Sequence, residues 1–343
     1  MLGNAYTSVI NGIDAVSVKV EADISAGFPC FDITGNLGVA VRESRERVRM
    51  AIKNSGIRIV PARMIVNISP ADLRKEGTHY DLAVAVAVLQ AAGIIRQNLC
   101  ENIMFIGELG LNGELRPVRG VLPMVINWCK GGRQMVVLPR ENAMEASYVK
   151  DAKIIPASTL NEVIECIKGD FTEVPFENAK PLQSTEYGMD FADIHGQLSL
   201  KRAIMVAAAS MHNMLMIGPP GAGKTMAAER IPAILPPMTY EQQLELSGIY
   251  SVAGMLKDGV SFVDKRCFRA PHHCITPQAM AGGGNGLMPG EVSLACHGVL
   301  FMDEFNLFST KTVEVLRQPM ESGHILIDRV NGKVEYPADF MLV

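Results

Sequence analysis

The stretch Gly218-Pro219-Pro220-Gly221-Ala222-Gly223-Lys224-Thr225 follows the spacing G-x-x-x-x-G-K-[ST]. That spacing suits a polyphosphate. Glycines let the backbone turn several N–H groups inward around phosphate oxygens, where a Cβ would obstruct them. The helix that follows adds its positive N-terminal end. Lys224 reaches the β- and γ-phosphates, and the Thr225 hydroxyl ligates Mg²⁺. Its four fixed positions recur by chance in roughly one chain in a hundred of this size at average composition. The complementary element is Asp303-Glu304, at the end of an apolar run. A carboxylate there completes the Mg²⁺ shell, and its neighbour Glu304 polarises an attacking water as general base. The chemistry expected is ATP–Mg²⁺ binding and hydrolysis.

Such groups must be held by a parallel sheet, whose ligands gather at strand C-terminal edges. Residues 213–217 (Asn, Met, Leu, Met, Ile) form a short apolar run leading into Gly218, expected to be a strand. Residues 224–231 are expected as the helix after the loop, stopped near Pro232. Residues 299–302 are a second buried strand leading to Asp303. Residues 199–210 and 311–321 read as helices, 339–343 as a further strand. Segments 324–330 and 333–336 bracket Asn331-Gly332, a hairpin signal. In the first half, 13–20 alternates as a strand, 42–55 is an amphipathic helix and 82–95 a buried helix. Segments 103–109 and 114–118 flank Asn112-Gly113, whose two residues tolerate positive φ in a hairpin turn.

The chain has 343 residues, 48% hydrophobic and 20% charged, with net charge −4. This is the composition of a globular protein long enough for about two domains. The charge gives no general reason to expect nucleic acid or anionic membrane, and is silent on local patches. Seven scattered cysteines without a Cys-x-x-Cys pair argue for a reducing, cytoplasmic setting over a disulfide framework. No basic-then-apolar N-terminus marks a signal peptide, and the longest apolar run is too short to span a bilayer. Pro175, Pro181 and several acids make 169–189 the linker, dividing the chain into 1–168 and 190–343.

Asp193-Ile194-His195-Gly196-Gln197, Phe268-Arg269-Ala270-Pro271-His272-His273, Pro289-Gly290-Glu291-Val292-Ser293-Leu294-Ala295 and Leu316-Arg317-Gln318-Pro319-Met320-Glu321 join the loop and the acid pair in resembling magnesium-chelatase-type AAA+ ATPases. With the first half included, the chain is similar to the bacterial YifB/ComM family. The resemblance implies a ring-forming, hexameric ATPase, with ATP and Mg²⁺ as ligands and DNA branch migration as its work. It extends the nucleotide contacts to Met226 and Gln197, the latter near the adenine. It makes 248–286 an insertion facing the pore and 325–336 a pore-side hairpin. Asn306 and Leu307 replace the family's Pro-Glu after Glu304-Phe305, and Cys296-His297 replaces a usual His-Asn. The chain stops at Val343 on an apolar strand, where a C-terminally truncated core is expected: the sensor-1 asparagine, arginine finger and helical lid would lie beyond.

Residues 67–82 and 107–120 are similar to the Lon-protease-like domain of that family, implying an α+β fold like domain 2 of ribosomal protein S5, ahead of a partial α/β P-loop core. Lon domains use a Ser-Lys dyad. His79 falls at the serine position and Leu122 at the lysine position, which argues against peptidase chemistry; Thr78 and Lys75 read as a turn hydroxyl and a solvated surface lysine. Cys267, His272, His273 and Cys274 match no standard zinc spacing and read as structural. Residues 282–286 lack a Gly-Lys-Thr ending and read as a flexible loop. Residues 42–47 read as a solvated helix face. The leading function is a ComM-type ATP-dependent motor on DNA. The alternatives are a chelatase subunit driving metal into a porphyrin, and an ATP-binding scaffold without motor activity.

Overall fold

The computed structural model describes residues 2–96, 99–169, 176, 179, 187–256, 262–284, 286–329 and 332–343. The chain divides into two compact units, Met1–Lys180 and Pro181–Val343. Most of the expected linker lies outside the described residues. Phe176 and Ala179 belong to the first unit: the Phe176 N–H donates to Ile154 O at 2.9 Å and the Ala179 N–H to Ser147 O at 3.1 Å. The division between Lys180 and Pro181 falls inside the stretch 169–189.

The first unit is a mixed seven-stranded sheet in the order Cys30–Thr34, Arg63–Ser69, Asp14–Ser25, Leu2–Asn11, Ile103–Phe105, Met135–Pro139, Lys153–Ala157. Leu2–Asn11 and Asp14–Ser25 pair antiparallel across a two-residue turn. Gly12, at φ 70°, supplies the positive φ that its first position needs. The sheet carries the helix Asp81–Ala91, whose eleven residues are all buried. An Ala/Val-rich sequence allows this helix to lie close: a Cβ on Gly3 would stand 2.0 Å from Ala87 O. Ser44 and Arg47, on the helix Val39–Asn54, meet the buried Asp81. Arg47 Nε donates to Asp81 Oδ2 at 2.7 Å and Leu109 N–H to the same oxygen at 3.2 Å, while Ser44 Oγ donates to Oδ1. A buried carboxylate is stable only with such partners. The face of residues 42–47 is thus only partly solvated, because Ser44 and Arg47 turn inward.

Two further expectations in this unit are corrected. Lys75 is not a solvated surface lysine; it is 0% exposed, and its ammonium donates to Pro70 O and, at 2.7 Å, to Leu73 O. Carbonyls in the turn after Ser69 take the place of water, and burial pulls its pKa below the usual value. In the Asn112-Gly113 turn only Gly113 takes positive φ (85°); Asn112 instead accepts from the Glu114 N–H through Oδ1 at 3.2 Å. The hairpin it closes is short, Glu108–Leu109 with Leu115–Arg116, while Ile103–Phe105 joins the large sheet.

His79 is buried, and its Nε2–H donates to Ser8 O at 2.8 Å. Burial lowers its pKa from 6.5 to about 4. The folded state therefore binds this proton less readily than the unfolded chain. Its contribution is complete above pH 6.5 and drains away as pH falls toward 4, at about 1.4 kcal/mol per pH unit, about 3 kcal/mol in all. The replacement His79→Gln is expected to flatten the dependence of urea midpoint on pH between 4 and 6.5; an unchanged slope contradicts the assignment.

The second unit is built on a parallel three-stranded sheet, Phe268–Arg269, Val299–Leu300 and Met341–Leu342. Its core joins Ile204, Ala207 and Ala208 of the helix Leu198–Ala209 to Ala227, Ile231, Val299 and Met341. Residues 213–217 are corrected from a strand to a segment outside the regular strands. Met214 N–H donates to Leu342 O, the single ladder bond, and Leu342 N–H is taken by the Asn213 side chain at 2.8 Å. The helix after the loop is Lys224–Glu229, followed by a 3₁₀ turn Ile231–Ile234 at Pro232. The helix expected over 311–321 is two, Thr310–Val315 and Arg317–Ser322. Pro319 lacks an N–H and crowds the Val315 carbonyl, which breaks the ladder there. His324–Arg329 pairs antiparallel with Gly332–Pro337, and Asn331 lies outside the described residues. Gly282–Gly283 is not loop: it pairs with Met288–Pro289, so close that a Cβ on Gly282 would stand 2.5 Å from Met288 O. Among the described residues no helix is long and apolar enough to cross a membrane.

Candidate phosphate site

The segment 213–217 delivers the chain to Gly218, and the loop 218–223 turns back into the helix Lys224–Glu229. Positive φ at Gly221 (77°) and Gly223 (84°) makes the turn, and a Cβ on either would meet nothing within 4 Å. Glycine is therefore required here by backbone conformation rather than by packing of the protein. Lys224 Nζ donates to Gly218 O at 2.8 Å and Pro219 O at 3.1 Å, folding the ammonium over the loop's own mouth.

Across the mouth stands the end of the buried strand Val299–Leu300. Phe301 and Met302 remain buried and stay bonded to both neighbours, Phe301 N–H to Arg269 O at 2.8 Å and Met302 N–H to Val343 O at 2.9 Å. The next two residues emerge from the sheet, so Asp303 and Glu304 are exposed. The Thr225 hydroxyl donates to Asp303 Oδ2 at 3.3 Å, joining positions 78 residues apart. Asp303 Oδ1 accepts from the Glu304 N–H at 3.0 Å. Glu304 takes φ 53°, an uncommon conformation for a non-glycine residue, and opens the 3₁₀ turn Phe305–Leu307.

Loop and acids line one cleft of 1070 Å³, together with Met226, Asn306, Leu342 and Val343. Its chemical character is an ammonium, a hydroxyl and two carboxylates set beside the backbone of the loop, with an apolar wall from residues 214–217. Gln197 lies outside that lining. It is exposed, at φ 50°, as the residue that opens the helix Leu198–Ala209. One contact near it had no signature in the sequence. Arg230, just past the loop's helix, clasps the turn Phe191–Asp193: its Nε donates to Asp190 O at 3.1 Å, and its Nη2 lies 3.1 Å from Asp193 Oδ2. That clasp fixes the approach of 194–197 to the loop's helix.

His272, His273 and Cys274 bring ligand atoms within 4.8 Å of one another. Cys267 is not in that group; its thiol donates to Leu294 O at 3.2 Å. Beside it Arg269 and Glu291 form a two-pronged ion pair at 2.6 and 2.7 Å.

Residues 190–343 match the family model described as magnesium chelatase, subunit ChlI, and residues 20–142 match the model described as subunit ChlI of Mg-chelatase. The competence protein ComM of Haemophilus influenzae is 39% identical over 349 residues, covering 100% of this chain and 68% of that protein. The protein YifB of Escherichia coli is 38% identical over 344 residues, covering 100% of this chain and 67% of YifB. A Lon protease of Trichlorobacter lovleyi is 25% identical over 191 residues, half of this chain. The chain belongs to the ComM/YifB family of magnesium-chelatase-type AAA+ proteins.

Proposed function

We propose that this chain binds ATP with Mg²⁺ and hydrolyses it, as the core of a ComM-type motor that acts on DNA. The observation that carries the reading is the 3.3 Å contact of Thr225 Oγ1 with Asp303 Oδ2, beside a glycine-rich loop and its lysine. The fit to Mg²⁺ rests on that pair. Both are hard oxygen donors, and neighbouring ligands of octahedral Mg²⁺ stand about 3 Å apart. Thr225 and Asp303 would hold the ion, which when bound neutralises charge on the β- and γ-phosphate oxygens.

The protein's own groups do the remainder. The N–H groups of Gly218, Gly221, Gly223, Lys224, Thr225 and Met226 surround the phosphates, joined by that of Ala222 once it leaves Pro219 O; Pro219 and Pro220, which have no N–H, shape the loop. The Lys224 ammonium leaves the two carbonyls for the phosphates. Glu304 takes a proton from water while the water oxygen bonds to the γ-phosphorus. The bond to the bridging β–γ oxygen breaks, giving ADP and phosphate. Gln197 lies on the adenine side. The peptidase-inactive Lon-like unit and the hexameric ring are likewise proposals, supported by the family.

The expected test result is saturable binding of a fluorescent ATP analogue that tightens with Mg²⁺. Asp303→Asn should lose most of the Mg²⁺-dependent gain, roughly tenfold, while keeping Mg²⁺-free binding. Equal loss with and without Mg²⁺ contradicts the assignment of Asp303. For the motor, salt-dependent binding of branched DNA strengthened by ATP is expected; absence of binding in both nucleotide states overturns the DNA reading for this chain. Similarity along the whole chain to ComM and YifB favours this over the chelatase alternative.

A further inference from the structure

On the second unit, apart from the phosphate cleft, three elements converge on one imidazole. His297 sits in the turn between the helix Glu291–Leu294 and the strand Val299–Leu300. Its backbone is held at both ends: the N–H donates to Asp339 O at 2.6 Å, and its carbonyl accepts from Arg266 Nη1 at 2.6 Å. The residue takes φ 56°, a conformation that costs energy outside glycine and is kept where surroundings enforce it. This fixed imidazole meets Glu245 of the helix Tyr240–Ala253, with Nε2 2.6 Å from Oε2. The other nitrogen, Nδ1, is buried without a hydrogen-bond partner, 3.8 Å from Asp339 Oδ2. The neighbouring Cys296 is 0% exposed. A carboxylate oxygen of Glu245, the Cys296 sulfur and a ring nitrogen of His297 all lie within 4.8 Å of one another.

An ion pair alone accounts for the Glu245 contact. It accounts neither for the thiol gathered beside it nor for the orphaned Nδ1. One oxygen, one nitrogen and one sulfur are the donors zinc takes, and their separations around a tetrahedral ion are about 3.3–3.8 Å, within reach by small side-chain rotations. Thiolate disfavours Mg²⁺ and Ca²⁺. A metal-bound imidazole as a rule donates its second N–H to a carboxylate or carbonyl, and Asp339 stands where that acceptor is needed. Glu245 is 36% exposed in its side chain, which leaves a path for the ion and for a completing water.

We propose that Glu245, Cys296 and His297 bind a zinc-type divalent cation, with Asp339 orienting the imidazole. The ion would tie the helix Tyr240–Ala253 to the root of the strand that leads to Asp303. The test is titration of the chelator-stripped chain with Co²⁺, followed by the near-ultraviolet absorption of a cobalt–thiolate bond. One saturating equivalent is expected, displaced by Zn²⁺. Cys296→Ser should abolish the band and Cys274→Ser should leave it unchanged. Glu245→Gln, at a part-exposed position, should retain the fold and weaken Co²⁺ binding at least tenfold, and His297→Asn likewise, since asparagine tolerates positive φ. The absence of a band in the native chain overturns the proposal, leaving a plain ion pair. So does a band lost with Cys274→Ser, which would move binding to the exposed His272-His273-Cys274 cluster, or a Glu245→Gln chain that binds as tightly as the native one.

Discussion

Lys224→Ala is expected to weaken binding of an ATP analogue roughly a hundredfold, with the thermal midpoint of the free protein nearly unchanged. The two halves of that expectation have separate causes. In the free protein the half-buried Lys224 spends its hydrogen bonds on the carbonyls of Gly218 and Pro219, which lie in a loop open to solvent. Losing such contacts costs little, because water replaces them. In the complex the same ammonium faces phosphate charge. A hydrogen bond to a charged group is worth about 1.5–3 kcal/mol, and two such bonds to phosphate oxygens give about 3 kcal/mol net. At about 1.4 kcal/mol per factor of ten this is the hundredfold loss. Equilibrium titration by fluorescence anisotropy measures it; a loss under threefold would remove Lys224 from the phosphate site.

Glu304→Gln should separate binding from turnover. Glutamine keeps the length of the side chain and accepts the same φ of 53° as poorly or as well as glutamate. The backbone path past Asp303 is therefore retained, and nucleotide affinity should stay within a factor of about two, since no phosphate contact is assigned to this side chain. The amide cannot take a proton from water. General-base catalysis contributes typically 10²–10⁴-fold, so phosphate release should fall by about that factor relative to the unaltered chain. A phosphate-release assay with saturating ATP reads the ratio directly. An unaltered rate would assign Glu304 to the exposed turn Phe305–Leu307 alone.

These groups were legible in the sequence to unequal degrees. The loop 218–225 could be read residue by residue, because its chemistry is local: amides, lysine and hydroxyl follow one another along the backbone. Asp303 was legible only with the loop in hand, since an acid after an apolar strand has many ordinary uses. What joined it to Thr225 is a parallel register, Val299 with Met341 and Leu300 with Leu342, and registers between distant segments have no local signature. The same reason hid the weak ladder of residues 213–217, whose apolar composition promised a strand. Lys75 departs from expectation because Arg74-Lys75-Glu76 has the composition of a solvated face, whereas the carbonyls that receive its ammonium belong to Pro70 and Leu73. Helix positions were set by hydrophobic pattern, so 81–91 came close to expectation. The break at Leu316 follows from Pro319, whose ring and missing N–H end the first helix there. Cys296-His297 stood out only as a departure from the family, with nothing in its neighbours to bring Glu245 from 51 residues upstream.

The central claim is that residues 218–225 and 303–304 form one pocket for a triphosphate and its metal. A crystal structure of this chain with a non-hydrolysable ATP analogue and Mn²⁺, read by anomalous scattering, tests it most directly. The expected result is a manganese peak between the Thr225 hydroxyl and the Asp303 carboxylate, with the β- and γ-phosphates against Lys224. A manganese peak elsewhere with the loop empty, or phosphates bound away from Lys224, would contradict it.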